Sequence, residues 1–263
     1  GAPATDEGET GERDHLRTVF LHKIRPAVES YSDIKRIKCG GHGMNGCRGL
    51  IFDLDGVVVH TDRYHCLAWK TVADRLGIPF DESVNNRLRG VSRAESLAII
   101  LKGYHGKLPD AAEQARLCEE KNRIYRDCVK RMSPVDVEDG TRETLLILRE
   151  RGYLLAIGSS SKNARLILEQ VSLTDAFDAI SDGTVITRSK PDPEVFLHAA
   201  RALGLPPARC AAVEDATAGI TAAKMCGMTA VAIGQATADA RADLRISRLT
   251  DLLAAFPGAG GEA

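Results

Sequence analysis

Two carboxylates, Asp53 and Asp55, stand two residues apart directly after the apolar run 50–52. Gly56 follows at once, and glycine allows the backbone to turn tightly there. Because residues i and i+2 of an extended segment point to the same side, we expect both carboxylates to project together beyond a buried strand. Close carboxylates repel each other unless a cation or a proton separates them. The pair therefore predicts a divalent-metal site, a division of acid and base roles, or both.

A second polar segment follows the predicted strand 153–157 and precedes a predicted helix. It consists of Gly158 and the run Ser159, Ser160, Ser161, Lys162 and Asn163. Small hydroxyls and free N–H groups at a helix N-terminus can bind an anion, and the lysine adds positive charge. Simple N-capping would need only one serine and is the alternative interpretation.

Two more polar groups stand at predicted strand-to-helix junctions. Lys190 lies in a proline-containing segment just before a predicted helix, where its charge could neutralise a phosphoryl oxygen or a carboxylate. Glu214 and Asp215 end a predicted strand and could complete an oxygen-ligand site for Mg²⁺. Taken singly, the lysine could be an ordinary surface residue and either acidic residue could merely cap the next helix.

The elements that must position these groups alternate along the chain. The pattern predicts strands at 50–54, 153–157, 178–181, 211–213 and 230–233, and helices at 141–150, 164–171, 194–202, 217–226 and 250–256. Such alternation is typical of an α/β fold, here a Rossmann-like parallel-sheet core flanked by helices. Four further helices, at 64–76, 82–88, 93–101 and 111–132, follow the first strand. Because ligands bind at the carboxyl ends of parallel strands, we expect this inserted all-helical cap domain to cover the polar groups.

The predicted organisation has three parts. Residues 1–47 form a partly flexible N-terminal extension, residues 48–61 and 133–263 form the α/β catalytic core, and residues 62–132 form the helical cap. Within the extension, residues 15–38 have a weakly amphipathic pattern. Cys39, His42 and Cys47 lack a fourth ligand at a zinc spacing, so a glycine-rich linker is the favoured interpretation.

The composition of the chain argues against several classes of function and location. The 263 residues are 44% hydrophobic and 27% charged, with a net charge of -1, which does not favour binding to nucleic acid or an anionic membrane. No apolar run approaches the roughly 20 residues of a membrane span, and the N-terminus lacks a secretory signal pattern. The seven cysteines are scattered and odd in number. We therefore expect reduced thiols in a cytoplasmic protein.

The strand-end groups in this order and spacing resemble the motifs of the haloacid dehalogenase superfamily of phosphoryl-transfer enzymes. The matching residues are Asp53-x-Asp55-Gly56, Ser159, Lys190 and Glu214-Asp215. The resemblance covers residues 48 to about 255. It implies that Asp53 is a nucleophile that becomes an aspartyl phosphate and that Asp55 is the general acid/base. It also implies that Ser159 and Lys190 hold the transferring group. The implied ligands of Mg²⁺ are Asp53, Asp55 (through its backbone carbonyl), Glu214 and Asp215.

The helical insert is similar to the cap of the β-phosphoglucomutases within that superfamily, in segments 61–70, 89–96 and 120–122. This closer resemblance implies that Arg93 grips the phosphate that is not transferred, for which a guanidinium fork is well suited. It also implies that His65 and Lys121 position Asp55 or respond to cap closure. By residue type alone, Trp69 could be ordinary core and Lys121 a solvated lysine. The implied substrate-binding residues are Thr61, His65, Trp69, Gly90, Val91, Ser92, Arg93, Ser96, Lys121, Ser159, Ser160, Ser161, Lys162, Asn163 and Lys190.

The activity implied is the interconversion of β-D-glucose 1-phosphate and D-glucose 6-phosphate through an aspartyl-phosphate enzyme. Mg²⁺ and β-glucose 1,6-bisphosphate, as primer and intermediate, are the implied cofactors. A sugar-phosphate phosphatase on the same scaffold is the first alternative, and a catalytically silent binding module is the second. We expect small sugar phosphates as partners, no nucleic acid or membrane, and a monomer.

Overall fold

The computed structural model describes residues 46–88 and 91–258. The predictions for the amphipathic segment 15–38, for Cys39 and His42, and for Gly90 in segment 89–96 lie outside the described residues.

A six-stranded parallel sheet forms the centre of the fold. Its strands are β1 (Gly49–Phe52), β2 (Leu154–Gly158), β3 (Ala179–Ser181), β4 (Cys210–Glu214), β5 (Thr229–Ala232) and β6 (Leu244–Arg245), in the order β3-β2-β1-β4-β5-β6. β1 is central and pairs in parallel with both β2 and β4, so that Phe52 lies beside Ile157 on one side and Val213 on the other. The carboxyl ends of these three strands therefore meet at one edge.

β1 is apolar on both faces, as a strand covered from both sides must be. Its central residues Leu50, Ile51 and Phe52 have no exposed surface. Leu50 and Phe52 belong to a core cluster on one face of the sheet, whereas Ile51 packs in a second cluster with Phe196. Burial of such side chains stabilises the fold by roughly 1.5–3 kcal/mol each.

Four helices follow β1 before the chain returns to the sheet: α1 (Asp62–Arg75), α2 (Glu82–Asn86), α3 (Arg93–Leu101) and α4 (Ala111–Val129). Polar residues fix where three of them begin. Asp81 accepts a hydrogen bond from the Val84 N–H and Asp110 accepts one from the Glu113 N–H, both at 2.9 Å. Ser92 and Glu95 form a capping box at the start of α3. The four helices enclose their own apolar cluster, which includes Trp69, Val72, Leu97, Ile100 and Leu117.

The remaining helices flank the sheet. They are α5 (Thr141–Glu150), α6 (Ala164–Gln170), α7 (Glu194–Ala202), α8 (Thr217–Met225) and α9 (Leu252–Ala255), with short 3₁₀ turns at Pro134–Asp136, Thr174–Ala176, Pro207–Arg209, Gly234–Ala238 and Leu249–Asp251. The structure confirms the predicted fold class, a parallel sheet flanked by helices with an all-helical insertion after β1.

Two passes of the chain connect the inserted helices to the sheet. Val59 forms an antiparallel bridge with Val137 and a parallel bridge with Asp55. Arg63 Nη2 also donates to Asp136 Oδ1 at 2.7 Å. These contacts hold the outgoing and returning chain together directly beside the two carboxylates after β1.

The observed elements differ from the predicted ones mainly at their ends. β1 stops at Phe52 rather than at residue 54, and α4 stops at Val129 rather than at residue 132. β6 was not predicted, because two residues are too few for an alternating pattern. Among the described residues, no helix combines the length and apolar character required to cross a membrane. Six described cysteines are free thiols: Cys47, Cys66, Cys118, Cys128, Cys210 and Cys226.

Candidate active site

Three carboxylates from neighbouring strand ends lie close together. Asp53 follows β1, Glu214 ends β4, and Asp215 comes next, and one oxygen of each lies within 4.8 Å of the others. The Asp53 N–H donates to the Val213 carbonyl at 2.9 Å, which extends the β1–β4 pairing by one residue. A group of carboxylate oxygens at this spacing is the donor set that Mg²⁺ prefers. The cluster is therefore a possible metal site, and the donor chemistry fits a hard divalent cation.

Lys190 balances the charge of this cluster. Its ammonium lies 2.6 Å from Asp53 Oδ1 and also contacts Glu214, and only 7% of its side chain is exposed. Burial lowers the pKa of Lys190, but the carboxylates of Asp53 and Glu214 outweigh burial and hold that pKa above its usual value. Burial also raises the pKa of Glu214, and Lys190 opposes that rise. Lys190 is therefore a fixed positive charge touching two buried carboxylates.

Asp55 lies outside this three-carboxylate cluster and has a different partner. The Thr61 hydroxyl, which is fully buried, donates to Asp55 Oδ1. Burial and the neighbouring charge of Asp53 raise the pKa of Asp55 to about 6. Asp53 is thus paired with a lysine, whereas Asp55 has a pKa close enough to neutral pH for it to act as an acid or a base.

The serine-rich segment after β2 forms a tight loop beside Asp53. The Ser159 hydroxyl accepts from the Ser161 N–H at 3.1 Å, and the Ser161 hydroxyl accepts from the Asn163 N–H at 3.2 Å. The Ser160 hydroxyl accepts from the Lys190 N–H at 3.3 Å. Asn163, the residue before α6, makes no side-chain capping bond to that helix. The serines therefore organise the loop and the chain near Lys190, while Lys162 is exposed.

A second polar group lies among the inserted helices. Lys121 Nζ is 2.8 Å from His65 Nδ1 and lies over the rings of Trp69 and Tyr125, at 5.4 and 4.6 Å from their centroids. Burial, together with the charge of Arg93, lowers the pKa of Lys121 to about 7. Burial and Lys121 also lower the pKa of His65 well below its ordinary value. The imidazole is therefore neutral and faces a lysine that titrates near pH 7.

The substitution Lys121→Met is expected to stabilise the protein, by about 1–3 kcal/mol near pH 6. Unfolded lysine binds its proton up to a pKa of about 10.5, whereas folded Lys121 loses it above about 7. The unfolded state therefore holds more protons between these values, and the stability of the parent rises with pH there. The gain in the variant should be largest below pH 7 and shrink toward pH 10. Thermal unfolding measured from pH 6 to 10 checks this, and a constant difference across that range would contradict it.

The described residues of segment 89–96 differ in burial and in hydrogen-bond partners. Ser92 begins α3 by accepting from the Glu95 N–H, Ser96 is buried at 3% exposure, and Val91 is exposed. Arg93 Nη2 donates to Asn122 Oδ1 at 2.9 Å. The Asn163 side-chain amide donates to the same oxygen at 3.0 Å, which joins the inserted helices to the chain before α6.

Three residues of the site were not predicted to belong to it: Gly219, Asn122 and Tyr125. Tyr125 is fully buried against His65, with ring centroids 4.1 Å apart. A Cβ at Gly219 would lie 1.9 Å from Glu214 Cδ, so α8 can approach the carboxylate only at a glycine. The position of that glycine, shortly after Glu214-Asp215, was the available sequence signal. For Asn122 and Tyr125 the signal was their place near Lys121 on one helix.

The substitution Gly219→Ala is expected to lower stability by about 1–3 kcal/mol because the new methyl group displaces the Glu214 carboxylate. Helix propensity alone favours alanine over glycine by about 1 kcal/mol. A loss of stability therefore indicates displacement of the Glu214 carboxylate, and a gain indicates helix propensity. Thermal unfolding with and without Mg²⁺ measures it, and Mg²⁺ should raise the midpoint of the variant less than that of the parent. Gly258→Ala is the matched control, since a Cβ there meets nothing within 4 Å.

Comparisons with known proteins agree with this geometry. Residues 47–227 match the family model of haloacid dehalogenase-like hydrolases. The β-phosphoglucomutase of Bacillus subtilis is 44% identical over 207 residues, which cover 78% of this chain and 91% of that protein. A phosphorylated carbohydrates phosphatase of Thermotoga maritima is 30% identical over 183 residues, covering 68% of this chain and 81% of that protein.

The crystal structure of a β-phosphoglucomutase from Clostridium difficile matches with a TM-score of 0.72 and 33% identity, covering 78% of this chain and 93% of that chain. The match to the family model covers more than half of the chain. The chain therefore belongs to the haloacid dehalogenase-like hydrolase family.

Proposed function

We propose that this protein is a Mg²⁺-dependent β-phosphoglucomutase that interconverts β-D-glucose 1-phosphate and D-glucose 6-phosphate. The observation that favours this activity over others in the family is that cationic and amide hydrogen-bond donors lie at two separate places. Lys190 contacts Asp53 at the strand ends, whereas Arg93 meets Asn163 through Asn122 at the inserted helices. A sugar bisphosphate that must bind in either orientation needs two anion sites. The 44% identity to a β-phosphoglucomutase supports the same assignment.

Asp53 is the proposed nucleophile. Its carboxylate attacks the phosphorus, so that the bond from phosphorus to Asp53 forms as the bond from phosphorus to the sugar oxygen breaks. Lys190, 2.6 Å from Asp53 Oδ1, reduces the repulsion between this carboxylate and an anionic phosphate. Mg²⁺ bound by Asp53, Asp215 and the Asp55 carbonyl, with Glu214 nearby, would supply further neutralisation of phosphate charge.

Asp55 is the proposed general acid and base. Protonated Asp55 gives its proton to the sugar oxygen that leaves phosphorus, and ionised Asp55 takes a proton from the hydroxyl that attacks phospho-Asp53. The pKa of about 6 allows both forms near neutral pH. The Thr61 hydroxyl on Asp55 Oδ1 orients the carboxylate for the two sugar oxygens in turn.

The proposed cycle begins with phospho-Asp53. It donates its phosphoryl group to the free hydroxyl of the monophosphate and gives β-glucose 1,6-bisphosphate. The bisphosphate then reverses its orientation in the site, and its other phosphate is transferred to Asp53. The Ser159–Ser161 loop holds the transferring group, and Arg93 with Asn163 holds the other phosphate. The helical cap, proposed as residues 62–132, excludes water that would otherwise hydrolyse the aspartyl phosphate. The binding partners are then small sugar phosphates.

A sugar-phosphate phosphatase is the second candidate. The specific observation in its favour is the 30% identity to phosphatases of phosphorylated carbohydrates and of fructose 1-phosphate. Both activities begin with the same phosphorylation of Asp53 and differ only in whether a sugar hydroxyl or water accepts the group. The two candidates therefore predict different products from one enzyme.

The test is an assay of purified protein with Mg²⁺, β-glucose 1-phosphate and a trace of β-glucose 1,6-bisphosphate. Mutase activity yields glucose 6-phosphate, read by a coupled dehydrogenase, with little free phosphate. Glucose and free phosphate as the main products would reject the mutase in favour of the phosphatase. The α anomer of glucose 1-phosphate is the matched control substrate and should yield no glucose 6-phosphate.

A further inference from the structure

Three polar side chains from separate parts of the chain meet at one atom. Arg93 is the first residue of α3, Asn122 lies on α4, and Asn163 precedes α6 beside the sheet. Asn122 Oδ1 accepts from Arg93 Nη2 at 2.9 Å and from Asn163 Nδ2 at 3.0 Å. One amide oxygen therefore ties two inserted helices to the serine-rich loop.

The chemistry of these groups fixes the orientation of both asparagines. A guanidinium has donors only, so the Asn122 atom that faces Arg93 must be the oxygen. Asn163 must then turn its NH₂ toward the same oxygen. An amide oxygen has two lone pairs, and here each one receives a donor. Asn122 thereby determines which way Asn163 and the Arg93 fork face.

The two donors keep hydrogens that point elsewhere. Arg93 Nη1 is 3.2 Å from Glu119 Oε1, whose side chain is 75% exposed, and the guanidinium has five N–H groups in all. Because Arg93 Nη2 and Asn163 Nδ2 contact one oxygen, they lie at most about 6 Å apart. That spacing is suited to two donors that bind oxygens of the same phosphate group.

We propose that Asn122 is a positioning residue for the second phosphate, which holds Arg93 and Asn163 at the spacing of one phosphate group while the inserted helices are closed over the sheet. The inference rests on the proposed function to the extent that a sugar substrate carries this second phosphate. Asn122 acts through its two partners and takes no part in the chemistry at Asp53.

A purely structural role makes a different prediction. If Asn122 only stabilised α4, its loss would lower the unfolding midpoint and impair every substrate equally. If it positions the two donors, only substrates with a second anion should suffer. Acetyl phosphate is a suitable comparison, because it can phosphorylate Asp53 but carries no second phosphate.

The experiment measures Asn122→Ala with β-glucose 1-phosphate and with acetyl phosphate. We expect KM for the sugar phosphate to rise roughly 10- to 50-fold with kcat changed less than about threefold. Phosphorylation of Asp53 by acetyl phosphate should change less than about twofold. Asn86→Ala, at an exposed position on α2, makes the same chemical change and should leave both reactions unaffected. Asn122→Leu keeps nearly the size of the side chain but removes the acceptor, so it should show the same selective loss if the alanine variant folds poorly.

A double-mutant cycle with Arg93→Ala completes the test. If Asn122 acts through Arg93 and Asn163, then adding Asn122→Ala to the Arg93→Ala variant should raise KM for the sugar phosphate by clearly less than it does in the parent, because only the contact with Asn163 remains to be lost. Equal losses with both substrates, or full additivity with Arg93→Ala, would overturn the proposal. If the parent forms no glucose 6-phosphate but hydrolyses a sugar phosphate, the proposed mutase fails. The comparison is then made between a sugar bisphosphate and acetyl phosphate, since only the bisphosphate carries a second phosphate, and it still decides the role of Asn122.

Discussion

Replacing Asp53 with asparagine is expected to abolish mutase turnover, with kcat reduced at least about 10⁴-fold. An amide oxygen is a far weaker nucleophile than a carboxylate, and the change also removes one oxygen of the carboxylate cluster and the charge facing Lys190. The variant should not gain the mass of one phosphoryl group after exposure to acetyl phosphate. Intact-protein mass spectrometry under acidic conditions, which preserve the acyl phosphate, reads this directly.

The loss should arise from chemistry rather than from folding. Asparagine has almost the same shape as Asp53, and Lys190 keeps Glu214 as a charged partner, so the unfolding midpoint should stay close to that of the parent. Asp74→Asn is the matched control, because Asp74 forms an exposed ion pair with Lys70 on α1. A phosphorylated Asp53→Asn protein, or one with more than about a hundredth of parental kcat, would show that another group is the nucleophile.

The second large effect is expected for Lys190→Met, which should lower kcat about 10²- to 10³-fold. Without the ammonium, the carboxylates of Asp53 and Glu214 face each other across a buried site, and a phosphate dianion approaching Asp53 meets uncompensated negative charge. The folded protein should also become less stable at neutral pH, because removing one partner of a buried pair leaves the other charge unmatched.

Mg²⁺ provides the sharpest readout for Lys190→Met. A cation bound to the carboxylate cluster would replace part of the lost charge, so Mg²⁺ should raise the unfolding midpoint of the variant more than that of the parent. Lys224→Met is the control, since Lys224 pairs with Asp243 at 39% and 42% exposure, where an ion pair contributes little. A variant with parental kcat, or one that responds to Mg²⁺ as the parent does, would contradict the role given to Lys190.

The sequence allowed the sheet and the strand-end groups to be predicted because both follow from local rules. Asp53, Lys190 and Glu214 are far apart in the chain. Asp53 and Glu214 stand at the ends of predicted strands, and Lys190 stands in the segment just before a predicted helix. Parallel strands bring those ends to one edge, so proximity could be inferred without coordinates. The fold class was therefore predicted correctly, including the helical insertion after β1.

Contacts between helices could not be predicted from these local rules. The hydrogen bond that Asn163 donates to Asn122 depends on how α4 is rotated and how closely it approaches α6, and no periodicity encodes either quantity. The 1.9 Å approach that a Cβ at Gly219 would make to Glu214 depends likewise on helix packing. β6 is so short that its pairing with β5, rather than any pattern of its own, defines it.

The central place of β1 has a consequence for how the protein is made. β1 is the first strand of the described chain to be synthesised, but its neighbour β4 is complete only when Glu214 has left the ribosome. Throughout that interval the edge of β1 that later pairs with β4 is unpaired. Chains with an unpaired apolar strand edge are bound by chaperones or aggregate. Asp53 acquires Glu214 and Asp215 only when β4 has docked, so the carboxylate cluster cannot form before that step.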